Sequence, residues 1–210
     1  MVRKTREEAE KTKERILDAA EDVFYRRGIS GATMADIADC AGVSRGAVYG
    51  HYKSKAQIFL AMCDRMHRLF MELSTCVFTD MDGDSLKDAD PLGLLRSATL
   101  FYMRTMLQNS RFRRFAELPY FKCEYVGENA ELLEYAYKLQ KERMDKLVAL
   151  IKKAKAKGQL SQDLDVGRAS QFFTCALDGM LRKDLFNPEI HDIRDHIDDM
   201  VATVLDCMKY

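Results

Sequence analysis

The sequence predicts an all-α protein, and three observations support this prediction. The 210 residues include only three prolines, and no stretch alternates apolar and polar side chains as a half-buried strand would. Apolar side chains instead recur at helical spacing over long stretches of the chain. Residues that start and stop helices separate these stretches. With 210 residues, of which 47% are hydrophobic, the chain can form one or two packed domains.

A first helix is predicted over residues 7–27. Gly28 follows it, at a position where helices commonly end. The apolar side chains of this helix fall on one face, which predicts that this face packs against the rest of the fold. They belong to Ile16, Leu17, Ala20, Val23 and Phe24.

Residues 33–55, TMADIADCAGVSRGAVYGHYKSK, predict a helix-turn-helix. Thr33 is an N-cap for a helix over residues 34–40, Gly42 suits the left-handed residue after it, and Ser44 is an N-cap for a second helix that starts at Arg45. The second helix exposes small residues among basic and aromatic ones. Such a face can enter the major groove, where these side chains bind phosphates and base edges. The alternative, a helical hairpin inside a larger domain, is not excluded by periodicity alone.

Six further helices are predicted after the helix-turn-helix. Asp90-Pro91 and Asn187-Pro188 are start signals, because an N-cap residue precedes a proline at the first helical position. Asp165 is a further N-cap, and Gly158 marks a helix end. These helices are predicted over residues 55–78, 91–107, 111–121, 129–156, 165–184 and 189–208, and the polar stretch 79–90 is predicted to be a loop.

Charge and cysteine placement limit the class of protein. Lys and Arg (33) balance Asp and Glu (33), whereas a protein that coats nucleic acid without sequence preference would be more basic. The N-terminus is charged and lacks the apolar core of a signal peptide, and no apolar run approaches a membrane span. We therefore predict a cytoplasmic protein with reduced thiols. The six cysteines are Cys40, Cys63, Cys76, Cys123, Cys175 and Cys207, of which only Cys123, beside Lys122, has an activating neighbour.

No arrangement of residues favours an enzyme. The sequence has no persuasive Ser-His-Asp or Cys-His order, no glycine-rich phosphate loop and no paired carboxylates. Cys63 and His67 lie one helical turn apart, a spacing that can bind a metal, but no second close pair accompanies them. We therefore predict no catalytic activity, no cofactor and no metal site.

Several segments, in order along nearly the whole chain, resemble the TetR family of bacterial repressors. The segment TMADIADCAGVSRGAVYGHYKSKAQIF, which begins at Thr33, carries the most specific part of the resemblance. Shorter segments are similar to the AcrR/TtgR-type repressors of multidrug efflux within that family. They are the opening VRKTREEAEKT, DPLG at 90–93, KCEY at 122–125, GQL at 158–160 and LDGML at 177–181.

The resemblance implies a DNA-binding domain of three helices over residues 1–54 and a ligand-binding and dimerisation domain of six helices over residues 55–210. It implies a homodimer on palindromic double-stranded operator DNA, released by a small hydrophobic or amphipathic effector, which controls a multidrug efflux operon. The DNA contacts that it implies are Thr33, Ser44, Arg45, Gly46, Tyr49, His51, Tyr52 and Lys55. The effector contacts that it implies are Met66, His67, Phe70, Leu95, Ala98, Tyr102, Ala116, Tyr120, Gln140, Arg143, Leu147, Leu177, Asp178 and Leu181.

The last two predicted helices carry more apolar side chains than one small core needs, which favours them as the contact between subunits. These side chains are Phe172, Phe173, Leu177, Ile193, Ile197, Met200, Val201, Val204 and Leu205. Two alternatives to the efflux repressor stay open. One is a TetR-type regulator that responds to a metabolite or a redox signal, and the other is an architectural DNA-binding protein.

Two charged features also allow two interpretations each. Asp178 lies in an apolar stretch, where a buried carboxylate needs a partner, so it is either an effector contact or a structural partner of Arg143 or Arg182. The cluster of Arg111, Arg113 and Arg114 is either a solvated face or a relay to the DNA-binding domain.

Overall fold

The computed structural model describes the backbone of residues 2–78, 90–191 and 193–209, and their side chains except those of residues 2–5, 75–78 and 128. Within these ranges the chain is helical and contains no strand, which confirms the all-α prediction. The predicted loop over residues 79–90 lies, except for Asp90, outside the described residues. The helices are α1 (Val2–Gly31), α2 (Met34–Ala41), α3 (Arg45–His51), α4 (Lys55–Phe78), α5 (Pro91–Gln108), α6 (Ser110–Phe121), α7 (Ala130–Ala156), α8 (Val166–Phe186) and α9 (Ile197–Asp206).

The predicted helix-start residues form their capping hydrogen bonds. Thr33 Oγ1 accepts a bond from the Asp36 amide at 3.0 Å, and the Asp36 carboxylate accepts one from the Thr33 amide at 3.0 Å. This reciprocal pair satisfies two amides that the helix itself leaves unbonded. Hydrogen bonds from Thr33 lower the pKa of Asp36. Ser44, Asp90 and Asp165 also accept bonds from the first turns of their helices, which confirms these predicted starts.

The last helix begins at Ile197, so the prediction of a start at residue 189 is wrong. Asn187 Oδ1 accepts bonds from the amides of Glu189 and Ile190 at 3.2 and 3.3 Å, which forms a turn but no helix. After this turn Ile193 is buried and Arg194 binds Asp184. These long-range contacts prevent the helix start that Asn187-Pro188 predicts.

The chain forms two compact units that are not continuous in sequence. Unit 1 contains Met1–Met71 and Glu117–Ala136, and unit 2 contains Glu72–Ala116 and Tyr137–Tyr210. The core of unit 1 is built from α1, α2, α3 and the first part of α4, and its largest buried side chains include Phe24, whose ring lies edge-on to that of Phe59 at 6.3 Å. The domain boundary between residues 54 and 55 stays a prediction.

Arg65, from α4, binds three carboxylates of α1. Its guanidinium lies 3.1 Å from Glu14, 2.7 Å from Asp18 and 3.1 Å from Glu21. The Arg65 side chain is only 8% exposed, so the three acceptors replace the water that a buried cation loses. These bonds fix α4 against α1 about three turns after the start of α4.

Unit 2 contains a buried ion pair that the sequence did not predict. Asp184 of α8 is fully buried and binds the guanidinium of Arg113, from α6. Arg113 also donates to the Asp184 carbonyl oxygen at 2.8 Å, and Arg194 lies 3.3 Å from the carboxylate. Arg113 is therefore mostly buried in an ion pair within unit 2 and is not on a solvated face.

The apolar side chains of α9 are largely used within one protomer. Six of the nine residues predicted for the subunit contact are buried here, namely Phe173, Ile193, Ile197, Val201, Val204 and Leu205. The excess of apolar side chains in the last two helices is therefore smaller than the sequence indicated. Phe172 of α8, in contrast, is 51% exposed.

The Arg65 cluster predicts a large stability effect at one position of α4. Arg65→Ala leaves three carboxylates of α1 without their shared cation and should lower the free energy of unfolding by about 2–3 kcal/mol. Urea unfolding followed by circular dichroism measures this change. Arg68→Ala, an exposed arginine of the same helix, is the matched control and should change stability by less than about 0.5 kcal/mol. Equal losses in both variants would contradict the role assigned to Arg65.

Candidate DNA interface and effector site

The outer face of α3 is exposed and carries few bulky side chains. Val48 is fully buried and fixes the helix to unit 1, whereas Arg45, Gly46, Tyr49 and Gly50 are exposed. A Cβ atom added at Gly50 would meet no atom within 4 Å. The face therefore has room for close approach by a nucleic-acid backbone, with donor side chains at its edges.

Contacts from α1 hold the helix-turn-helix in place. Arg15 donates to the Ala41 carbonyl oxygen at 2.7 Å, which satisfies an acceptor at the end of α2. Arg27 pairs with Asp36 of α2 at 3.0 Å. Gly42 adopts φ +63° in the turn, which suits the left-handed C-terminal position predicted for it. The recognition face is thus presented on a fixed support.

Six of the eight predicted DNA contacts are exposed. Thr33 and Ser44 use their hydroxyls as helix caps and remain accessible at the starts of α2 and α3. Tyr49 is 48% exposed. The remaining exposed positions of the six are Arg45, Gly46 and His51. Lys53 is exposed beside them.

Tyr52 and Lys55 are buried, contrary to their predicted positions at the DNA surface. Tyr52 is 6% exposed, and its hydroxyl has no hydrogen-bond partner among the described residues. Burial, with a smaller contribution from Glu14, raises the pKa of Tyr52 to about 12. Lys55 Nζ donates to the Ser30 carbonyl oxygen at 3.1 Å. Ile58 follows Lys55 by three residues and lies on the same buried face of α4. This spacing in the sequence indicates that Lys55 is buried.

The positions predicted to contact an effector are divided between the two units. Those in unit 1 are Met66, which is buried, Phe70 and Tyr120, which are half-buried, and His67, which is exposed. In unit 2, four predicted positions are buried, namely Leu95, Ala116, Leu147 and Leu181. Ala98 and Leu177 are half-buried, and Gln140 is exposed. Unit 2 thus combines apolar positions with polar ones at the predicted site.

Tyr102, Arg143 and Asp178 form a polar group in unit 2. The Arg143 guanidinium carbon lies 6.0 Å from the centre of the Tyr102 ring, within the range of a cation–π contact. Burial raises the pKa of Tyr102. Arg143 opposes this shift and Asp178 adds to it, so both charges act on one phenol. Three helices, α5, α7 and α8, therefore bring both signs of charge to one aromatic ring.

The carboxylate that is buried in α8 is Asp184 and not Asp178. Asp178 is exposed, so the premise that it needs a buried partner is wrong. Asp178 lies near Tyr102, whose ring Arg143 also contacts. This position is consistent with Asp178 as an effector contact and also with Asp178 as a structural partner of Arg143.

The five cysteines whose side chains are described do not form an evident reactive centre. Burial raises the pKa of Cys123, and Lys122, the neighbour predicted to activate it, lies over the ring of Tyr25 at 4.7 Å. The described side chains contain no group of three or more His, Cys, Asp or Glu residues suited to a metal ion. No helix in the described ranges combines the length and apolar composition needed to cross a membrane.

Known proteins resemble this chain over almost its full length. Residues 16–62 match the family of bacterial regulatory proteins of tetR type, and residues 90–210 match the C-terminal region of MAATS-type transcriptional repressors. The chain is 32% identical to the HTH-type transcriptional regulator TtgR of Pseudomonas putida over 209 residues, which covers 100% of this chain and 97% of the relative.

Solved structures extend the comparison. MexZ of Pseudomonas aeruginosa, described as a repressor responsible for antibiotic resistance, is 34% identical with a TM-score of 0.76, covering 95% of this chain and 96% of MexZ. SmeT, the repressor of the Stenotrophomonas maltophilia efflux pump SmeDEF, was solved with triclosan and is 25% identical with a TM-score of 0.77, covering 95% of this chain and 92% of SmeT. The helix-turn-helix, the all-helical body and these full-length similarities together establish that the chain belongs to the TetR family of transcriptional regulators.

Proposed function

We propose that this protein is a repressor that binds a palindromic operator as a dimer and is released by amphipathic or aromatic drug-like compounds. The exposed, small-residue face of α3 carries the DNA-binding part of the proposal. The similarity to MexZ, a repressor responsible for antibiotic resistance, and to SmeT, the repressor of a multidrug efflux pump, supports an efflux operon as the regulated target.

Within the DNA interface, two exposed cations have different roles. Arg45 begins α3, where the first residues of a recognition helix reach base edges, and arginine is the commonest specific partner of guanine. Lys53 follows α3, and its flexible ammonium suits a phosphate. Tyr49 and His51 complete the donors on this side of the helix, whereas the buried Lys55 supports the reader from inside unit 1.

The dimer contact is proposed to use the exposed stripe of α8. Phe172, Cys175, Gly179 and Phe186 are spaced by three, four and seven residues, which places them on one face of the helix. Phe172 and Phe186 are 51% and 76% exposed, and nothing lies within 4 Å of a Cβ built at Gly179. A small residue between two aromatic ones allows the same helix of a second copy to approach closely. A contact on one stripe is self-complementary under two-fold symmetry.

The effector site is proposed to include the polar group of Tyr102, Arg143 and Asp178. An aromatic ring beside apolar side chains suits flat apolar ligands, and a few polar groups orient them. Asp178, which is exposed, favours a ligand with a donor or a positive charge, while Arg143 favours an acceptor. A site with both charges accommodates chemically varied amphipathic compounds.

Two substitutions separate base reading from phosphate binding. Arg45→Ala should weaken operator binding by about 1–3 kcal/mol per half-site and relax the base preference at one position of each half-site. Lys53→Ala should weaken binding to all duplexes alike and reduce the salt slope of log K by about 1.8, because each of the two protomers loses one phosphate contact. Fluorescence anisotropy on matched and mismatched duplexes at several salt concentrations measures both effects.

Lys152→Ala, an exposed lysine of α7 in unit 2, is the control and should leave affinity and salt slope unchanged. An equal loss of base preference in Arg45→Ala and Lys53→Ala would refute the separate roles.

The charge of Asp178 predicts selectivity among effectors. Asp178→Asn should weaken binding of the planar cation ethidium by about five- to tenfold, which corresponds to about 1 kcal/mol for a partly solvated charge pair. Triclosan, a neutral chlorinated phenol, should bind with little change. Titration calorimetry measures both affinities, and Asp145→Asn, an exposed carboxylate of α7, is the control. Equal losses for ethidium and triclosan would make Asp178 a structural residue.

A further inference from the structure

The connection between α6 and α7, residues 122–129, is bonded to the C-terminal end of α1 within unit 1. The Ile29 amide donates to the Lys122 carbonyl oxygen at 2.8 Å. Gly28 adopts φ +72°, and a Cβ built there would lie 3.2 Å from the same oxygen, so this approach requires glycine. Lys122 Nζ lies over the Tyr25 ring. The end of α1 is therefore held by a segment far along the chain, since Ile29 and Lys122 are 93 residues apart in sequence.

Asn129 is the most buried polar residue of this contact. It is 2% exposed, and its Nδ2 donates to Ser30 Oγ at 3.1 Å and to the Glu124 carbonyl oxygen at 3.1 Å. The Ser30 carbonyl oxygen accepts the bond from Lys55 Nζ. Ser30 thus joins α1, α4 and the α6–α7 connection. We name the group of Ser30, Lys55, Lys122 and Asn129 the clasp.

The clasp is not fully satisfied. Asn129 Oδ1 is buried and accepts no hydrogen bond from the described residues. A buried carbonyl oxygen without a donor lowers the stability of the arrangement that contains it. The unsatisfied oxygen therefore offsets part of the stability that the three side-chain hydrogen bonds of the clasp provide. Such a contact is suited to an equilibrium that a ligand can shift.

The two helices that flank the clasp continue into unit 2. The boundary between the units falls between residues 116 and 117 in α6 and between residues 136 and 137 in α7. Positions proposed for effector binding lie on the same helices, with Ala116 on α6 and Arg143 on α7. A helix transmits displacement along its axis because its backbone bonds keep it stiff.

We propose that the clasp couples effector binding to the DNA reader, and that Asn129 is the positioning residue in it. This inference rests on the proposed function. A displacement of α6 or α7 reaches the α6–α7 connection, which sets the position of the end of α1. The Arg27–Asp36 pair then carries the change to α2 and its neighbour α3. The reader thus receives the signal through the α6–α7 connection.

The coupling is measured as the ratio of operator affinities without and with effector, which can be determined separately from the stability of the fold. If triclosan lowers the operator affinity of the wild type by a factor of ten or more, Asn129→Ala should reduce this factor to below about twofold. The affinity for operator without triclosan, and for triclosan without operator, should each stay within about threefold of the wild type. Ser30→Ala removes one bond only and should give an intermediate factor.

Asn187→Ala is the matched control for a purely structural effect. Asn187 also makes two hydrogen bonds, in the turn after α8 of unit 2. Its loss should lower the melting temperature without changing the release factor. A folded Asn129→Ala protein that keeps the wild-type release factor would overturn the proposal.

Hydrogen exchange tests the clasp without an effector. Coupling is reciprocal, so operator binding to the wild type should change amide exchange in residues 137–150 of α7, and Asn129→Ala should abolish this change. Failure of triclosan to release the wild type would count against the proposed effector and not against the clasp. An exchange response in α7 that persists in Asn129→Ala would overturn the clasp even if triclosan acts as proposed.

Discussion

The position of the DNA reader depends on the Arg65 guanidinium, which is withdrawn from water and bound by three carboxylates of α1. Burial of a cation is costly unless acceptors replace its water, so these three bonds favour the observed placement of α4 against α1. Tyr52 is buried close to this cluster, and Lys55, the first residue of α4, donates to the Ser30 carbonyl oxygen at the end of α1. The helix-turn-helix is held on this support through the contacts of Arg15 and Arg27 with α2. Recognition of DNA thus relies on ionic contacts made well away from the recognition face.

Local signals were predictable from the sequence, and long-range contacts were not. The caps at Thr33 and Ser44 and the glycine at position 42 depend on residues at most a few positions away, so the helix-turn-helix was recovered in detail. The buried pair of Arg113 and Asp184 joins residues 71 positions apart, and nothing in the neighbourhood of either indicates the other. The same limitation explains Tyr52 and Lys55, whose types fit a DNA surface although their positions fit the core. The apparent start of the last helix at Asn187-Pro188 was overridden by the burial of Ile193.

The proposed effector site and the proposed contact between subunits use different faces of α8. Leu181 and Phe173 are buried within the protomer, Asp178 lies near Tyr102, and Phe172 and Phe186 remain exposed. One helix therefore contributes to the core, to the proposed effector site and to the proposed contact between subunits. A ligand that shifts α8 therefore changes all three environments together. Such a shift can lower the affinity for operator if the ligand binds one conformation of the dimer and the operator binds another.

The most direct test of the central claim is the mass of the complex on a duplex that the protein itself selects from a random pool. Sedimentation equilibrium should give two protomers on a site of two inverted half-sites, whose centres lie about one helical turn (~34–36 Å) apart or more. Phe172→Asp should remain folded but sediment as single protomers with weak binding to the same duplex. A wild-type complex of one protomer on an asymmetric site would contradict the account.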